Sequence, residues 1–364
     1  MRIQHFFVWV MLITGFLFCV WQHQAMAMSC LNIQGQAVDW WVVIKLPKSA
    51  DPTKTGDSFV YFDAKAKQFT LLKQTVGIDR VNEPVGYTLN QLYNHANTSH
   101  SLGWLMYNDE PPVSTRDHKP TGGDFGHTKG VIGFNQKTGF WLIDSVPKFP
   151  SVATQQYSYP DTATTYGQSL LCVSINTDQL PVIAKQLQYS YPHIYSAHMP
   201  STWQLRSTFS RLWQVMQYQG MQEKPRYSEQ TFYSQAQQPF VSIVKSYPEN
   251  THLFYEYVAS YFKQPLLAET WLRGQQEGSV CQPYVVNDVE TLAYPSHTTP
   301  RYAWKETQDH SKWAVSNKAG GSLVCVGDLN RMRSQRHRAG GTVCIKSQAL
   351  HQAMYPMVVT HHSC

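Results

Sequence analysis

The stretch Gln308–Asp309–His310–Ser311–Lys312–Trp313, "QDHSKW", repeats a triplet already used at Gly126–Gly130, "GHTKG". A lone His-x-Lys carries little weight in 364 residues that include 15 His and 30 Lys plus Arg. The flanks decide. After His127–Thr128–Lys129 come "GVIGF", turn chemistry in "NQKTG", and "FWLID". After His310–Ser311–Lys312 come "WAVS", "NKAGG" and "SLVCV". Each unit reads as a β-hairpin. Ser145 follows His127 at the same interval at which Asp328 follows His310. The competing reading, two exposed hairpins with incidental His and Lys, does not explain the matched order and interval. The pattern is an internal duplication at domain scale.

Residues i and i+2 of a strand face one side, so His and Lys of each triplet project together. The start of a hairpin lies opposite its end. His127 and Lys129 are therefore expected beside Ser145, and His310 and Lys312 beside Asp328 and Asn330. Two such corners can cleave a phosphodiester. One neutral imidazole attacks phosphorus. The other, protonated, gives its proton to the leaving oxygen. Lys129 and Lys312 stabilise the charge that builds on the phosphoryl oxygens. Asn330 and Ser145 add neutral donors. Needing one neutral and one charged imidazole favours weakly acidic conditions. The chain has no G-x-S-x-G, Walker-A loop, H-E-x-x-H or dinucleotide fingerprint to support another chemistry.

Arg2 and His5 precede an apolar run from Phe6 to Trp21, followed by Ala25–Met26–Ala27. That is the layout of a secretory signal peptide over 1–27. The run is short for a full membrane span, so no stable membrane association is expected. The remaining cysteines are Cys30, Cys172, Cys281, Cys325, Cys344 and Cys364. An even count behind a secretory signal favours three disulfides, and the lack of C-x-x-C argues against zinc. The formal charge of +6 suits a polyanionic partner without establishing one. Asn97–Thr98–Ser99 is a glycosylation sequon, usable only on a eukaryotic secretory route. The expected location is secreted or exported: periplasmic or extracellular in a bacterium, lysosomal or extracellular in a eukaryote.

An N-terminal lobe is expected over 28–176 and a C-terminal lobe over 177–364. Asp178 is placed to cap a helix through "QLPVIAKQL". Further helices are expected at Thr202–Gln217, Thr251–Phe262 and Leu266–Leu272. Trp40, Trp41, Trp104 and Trp141, in strand-like runs, read as core. Arg331, Arg333, Arg336 and Arg338 crowd just beyond Asn330 and are candidates to hold the phosphates of a polyanionic partner.

The doubled H-x-K with a downstream G-D-x-N element resembles the phospholipase D superfamily. Within it the chain resembles the deoxyribonuclease II family over nearly its whole length after the leader. The stretches that carry this are "QAVDWWVVIKLP" (Gln36–Pro47), "LMYNDEPP" (Leu105–Pro112), "GHTKGV", "DSVPKFP" (Asp144–Pro150), "TYGQSLLCVS" (Thr165–Ser174), "DHSKWAVS" and "CVGDLNR" (Cys325–Arg331). The resemblance implies an α/β fold: a pseudodimer of two mixed-sheet lobes flanked by helices, sharing one active site. It implies an acid endodeoxyribonuclease that acts on DNA without metal or cofactor and leaves 3′-phosphate ends. It implies the pairs Cys30–Cys172, Cys281–Cys364 and Cys325–Cys344. The usual superfamily division makes His127 the nucleophile and His310 the general acid, with Asp309 beside His310 as a soft hint of a raised pKa. One departure stands out: where animal members read His-Ser-Val-Pro-Asn, this chain has Asp144–Ser145–Val146–Pro147–Lys148. That alters the first corner, with Asp144 and Lys148 able to pair, and implies a changed pH optimum or rate. Two other functions compete: a different phosphodiesterase of the superfamily, such as a lipid hydrolase, and a secreted DNA-binding protein with impaired catalysis.

Overall fold

Strand Trp40–Lys45 is buried along its whole length. Its side chains alternate between two cores. Trp40, Val42 and Ile44 face one cluster. Trp41 and Val43 face another. A continuous apolar run of this kind marks a strand covered on both faces. Trp104 and Trp141 are also buried, as expected of core residues. The computed structural model describes residues 27–72, 77–98, 100–112, 125–218, 226–247, 249–294 and 302–364. The leader segment, and Ser99 of the sequon, lie outside the described residues.

The fold is mixed α/β, with two large sheets and few helices. The first sheet runs, edge to edge, Ile194–His198, Gly103–Asn108, Lys129–Phe134, Thr138–Asp144, Gln168–Asn176, Trp40–Lys45, Phe59–Asp63 and Thr70–Leu72. Its pairings are antiparallel. The second runs Tyr227–Tyr233, Pro239–Lys245, Gly340–Lys346, Leu323–Gly327, Trp313–Ser316, Leu266–Glu269, Val286–Tyr294 and Tyr302–Lys305. Strand Val358–His361 also pairs with Val286–Tyr294. One pairing, Leu266–Glu269 with Val286–Tyr294, is parallel. Only the second sheet is therefore mixed.

Both hairpins form as the sequence predicts. In each sheet the hairpin lies between an earlier strand and a later one: Gly103–Asn108 and Gln168–Asn176 in the first, Leu266–Glu269 and Gly340–Lys346 in the second. The inner faces of both sheets merge into one core that includes Trp141, Phe232, Phe240 and Trp313. Helices Leu180–Ser190 and Ser207–Tyr218 supply Leu187 and Leu212 to it. After that first helix the chain returns to the edge of the first sheet through Ile194–His198.

The three disulfides are Cys30–Cys172, Cys281–Cys364 and Cys325–Cys344. They match the pairing that the resemblance implied. No helix among the described residues is long and apolar enough to cross a membrane.

Two local expectations change. Leu266–Leu272 is not a helix; Leu266–Glu269 is a strand between two partners. A short apolar run does not separate the two states, and tertiary pairing decided it. Asp178 does not cap the helix Leu180–Ser190: it lies within a 3₁₀ turn, and the capping position, Gln179, makes no side-chain cap bond. The segment Leu253–Ala259 is helical as expected but wound as a π-helix, capped by the His252 side chain.

Candidate active site

The two His-x-Lys triplets meet where the sheets abut, and each is braced by the opposite half of the chain. The His127 amide donates to the Ala339 carbonyl at 2.8 Å, and the His310 amide to the Gly167 carbonyl at 2.9 Å. The Lys312 amide donates to Ser169 Oγ at 3.1 Å. Such close approach requires glycine: a β-carbon on Gly126 would collide with the Ser190 carbonyl, and one on Gly167 with the Asp309 carboxylate.

His127 does not turn to Ser145. Its Nδ1 lies 2.6 Å from the Asp328 carbonyl oxygen. A carbonyl only accepts, so Nδ1 carries the proton and Nε2 keeps its lone pair. Thr128 Oγ1 donates to Asp328 Oδ2 at 2.8 Å. The second hairpin thus orients the first triplet. Hairpin geometry within one copy could not reveal this, because the partner comes from the other copy.

Lys129 Nζ ion-pairs with Asp109 Oδ1. Arg338 reaches the other oxygen of Asp109 at 3.2 Å, and His127 Nε2 lies 4.0 Å from it. Lys129 first, and Arg338 with it, hold Asp109 well below the usual carboxylate range despite its burial. Asp109 belongs to the stretch "LMYNDEPP" but carried no role in the sequence reading; its signal was that stretch alone.

His310 lies against two aromatic rings, Tyr166 at 4.4 Å and Trp271 at 3.7 Å between centroids. Among the described residues its buried Nε2 has no hydrogen-bond partner. Burial, then the charges of Lys312 and Lys129, push its pKa down to about 2. Burial and Lys129 likewise hold His127 well below the usual imidazole value. Both imidazoles are therefore neutral. The Asp309 hint fails: that carboxylate accepts from Trp304 Nε1 at 2.7 Å and the Ser311 amide at 2.9 Å. Lys312 is pushed down to about 7, by burial first and Lys129 second. The charges of Lys129 and Lys312 act on both imidazoles, so the four groups share one electrostatic site.

The remaining predicted residues divide. Ser145 Oγ donates to Gln168 Oε1 at 2.6 Å and accepts from the Ser169 amide at 3.0 Å, so its hydroxyl proton is already engaged. It is a brace, not a phosphate donor. Asn330 is buried with Oδ1 unpartnered and lines a small cleft with Lys245, His252 and Arg336. Among the described residues no hydrogen bond joins it to His310 or Lys312. Arg331 cannot reach a phosphate. It is fully buried, ion-paired through Nε to Asp288 and bonded through Nη2 to the Gly278 carbonyl. Arg336 forms a two-point pair with Glu277 at 2.7 and 2.8 Å. Arg333 is exposed. Of the four arginines, Arg338 alone contacts the residues around His127.

Asp144 does not pair with Lys148, which is exposed while Asp144 is buried. Asp144 Oδ1 accepts from the Val146 amide at 2.8 Å, and Oδ2 has no partner among the described residues. Burial raises its pKa from 3.8 to about 7. The folded chain then holds a proton that the unfolded chain releases, so stability falls as pH rises from about 4 to about 7. Asp144→Asn is expected to make that fall less steep, read from melting temperatures across the interval. An unchanged slope would mean that Asp144 is ionised in the folded protein.

Among the described residues no cluster of three or more His, Cys, Asp or Glu is arranged to hold a metal ion. The site is instead a convergence of two lysines, an arginine and two imidazoles.

Comparison with known proteins fits this arrangement. The sequence pattern of the family Deoxyribonuclease II matches residues 29–364. The chain is 33% identical to Plancitoxin-1 of Acanthaster planci, covering 93% of each chain. It is 35% identical to Deoxyribonuclease-2-alpha of Rattus norvegicus, covering 93% of this chain and 95% of the relative. It is 32% identical to Deoxyribonuclease-2-beta of Homo sapiens, covering 93% and 92%. With its doubled His-x-Lys triplet at one buried site and a match across nearly its full length, the chain belongs to the deoxyribonuclease II family.

Proposed function

We propose that this protein is an acid endodeoxyribonuclease that cleaves DNA without a metal ion and leaves 3′-phosphate ends. The observation that carries this is the shared site, in which both halves place an imidazole and a lysine ammonium around one locus. The matching strand order around the two hairpins supports a pseudodimer with lobes over 28–176 and 177–364, the first sheet borrowing Ile194–His198 from the second lobe.

In this reading His127 Nε2 attacks phosphorus, its tautomer fixed by the Asp328 carbonyl. The bond from phosphorus to O5′ breaks as His310 gives O5′ a proton. Water then attacks phosphorus, passes its proton to His310 and releases His127. The products are a 3′-phosphate and a 5′-hydroxyl. Lys129, Lys312 and Arg338 stabilise the phosphoryl oxygens. His310 is neutral in the free protein, so the phosphate must bring the negative charge that lets it bind a proton.

The acid preference follows from burial. Lys312 is cationic only below about pH 7. Activity is expected on the acid side and to decline as pH rises through that value and the ammonium loses its proton. Plasmid nicking in EDTA, followed from pH 4 to 9, tests both points. Nicking that vanishes in EDTA and returns with magnesium would overturn the metal-independent reading. Parallel turnover of phosphatidylcholine would favour a lipid hydrolase, and DNA retention without cutting an impaired binding protein.

A further inference from the structure

Tyr166, Trp271 and Arg273 form a wall beside His310 that the proposed chemistry leaves without a task. Tyr166 and Trp271 are half-buried and Arg273 is exposed. The Tyr166 and Trp271 rings lie 5.8 Å apart; His310 stacks on Tyr166 and is tilted at 42° against Trp271. Arg273 donates through Nη1 to the Tyr166 hydroxyl at 2.8 Å. Its guanidinium sits 5.8 Å from the Tyr166 ring and 5.9 Å from the Trp271 ring. Lys45, wholly buried, donates to the Thr164 and Tyr166 carbonyls and fixes the loop that presents Tyr166. The wall is assembled from both halves of the chain. Tyr166 precedes strand Gln168–Asn176, and Trp271 and Arg273 follow strand Leu266–Glu269.

Adjacent aromatic rings edged by a guanidinium are a sequence-tolerant means of holding a nucleobase, because every base has a π-face. Packing His310 alone would need only apolar bulk, with no cation at the exposed edge. The position also gives a direction. His310 hands its proton to O5′, so the nucleoside nearest the wall is the one that leaves. Resting on the reaction proposed above, we infer that Tyr166, Trp271 and Arg273 bind the base of the leaving nucleotide by stacking, without reading its identity. A base that is already unstacked binds there at lower cost, so single-stranded DNA is the better substrate at this subsite.

The test uses a single-stranded oligonucleotide with one cleavable phosphodiester, the other linkages being methylphosphonates. It is compared with versions carrying an abasic nucleotide on the leaving side or on the opposite side. Wild-type protein is expected to cut the leaving-side abasic version about 5- to 100-fold more slowly than the intact one. Trp271→Leu is expected to abolish that difference, and the exposed Arg273→Gln to shrink it. The ratio of intact to abasic rates cancels any general loosening of His310 in the variants. Equal wild-type rates on all three oligonucleotides would overturn the subsite. So would a wild-type ratio retained in both variants, since the wall would then only support His310. If wild type cuts none of them in EDTA at acid pH, the proposed reaction falls instead. Fluorescence anisotropy with the same oligonucleotides then still decides the subsite by the same ratios.

Discussion

Alanine at Lys129 or at Lys312 is expected to slow plasmid nicking at least about a hundredfold in each case, the scale of losing one positioned electrostatic donor. The two lysines stand in different halves of the chain, yet the charge of each acts on both imidazoles. Neither half is therefore a spare. The cost has two parts at Lys129. Its ammonium is paired with Asp109, so its removal also leaves that buried carboxylate with Arg338 as its remaining close cation. Lys312 is cleaner, because its ammonium donates to the His310 carbonyl and, among the described residues, has no carboxylate in direct contact. Full activity after losing either lysine would point to two independent sites.

Alanine at His310 is expected to cost about 10²- to 10⁴-fold on DNA, the range of a general acid. A substrate whose leaving group departs without a proton, such as a nucleoside 3′-phosphate ester in which nitrophenolate replaces the O5′ leaving group, should recover most of that loss. The same substrate should not rescue His127→Ala, which lacks the nucleophile. The structure gives this assignment a basis that the sequence did not. The Asp328 carbonyl holds His127 in the tautomer with a free Nε2, whereas His310 Nε2 is buried and unpartnered beside Trp271. Rescue of His127→Ala instead would exchange the two roles.

The hairpins, the core tryptophans and the four His and Lys residues were legible in the sequence. Strand periodicity and turn chemistry are local signals, and two matched copies reinforced each other. What stayed hidden arises between the halves. The Asp328 carbonyl on His127, Ser169 under Lys312, and Asp109 between Lys129 and Arg338 are contacts far apart in the chain. Arg331 misled for a related reason. Adjacency to Asn330 suggested a phosphate contact, but Asp288 lies on a distant strand and takes its guanidinium into the core. Asp309 misled because sequence adjacency to His310 does not set the direction of a side chain. The aromatic wall could have been suspected from "TYGQSLLCVS", but Trp271 lies in a segment first read as a helix.

The most direct test of the central claim is to trap the covalent intermediate. His310→Ala incubated with the nitrophenyl substrate retains the first step but lacks the base for the second, so the adduct should accumulate. After an alkaline quench, peptide mapping by mass spectrometry is expected to find the 3′-phosphoryl nucleotide on His127, with nitrophenol released in equal amount. Release of nitrophenol with no adduct on either histidine, or an adduct on another residue, would contradict the mechanism.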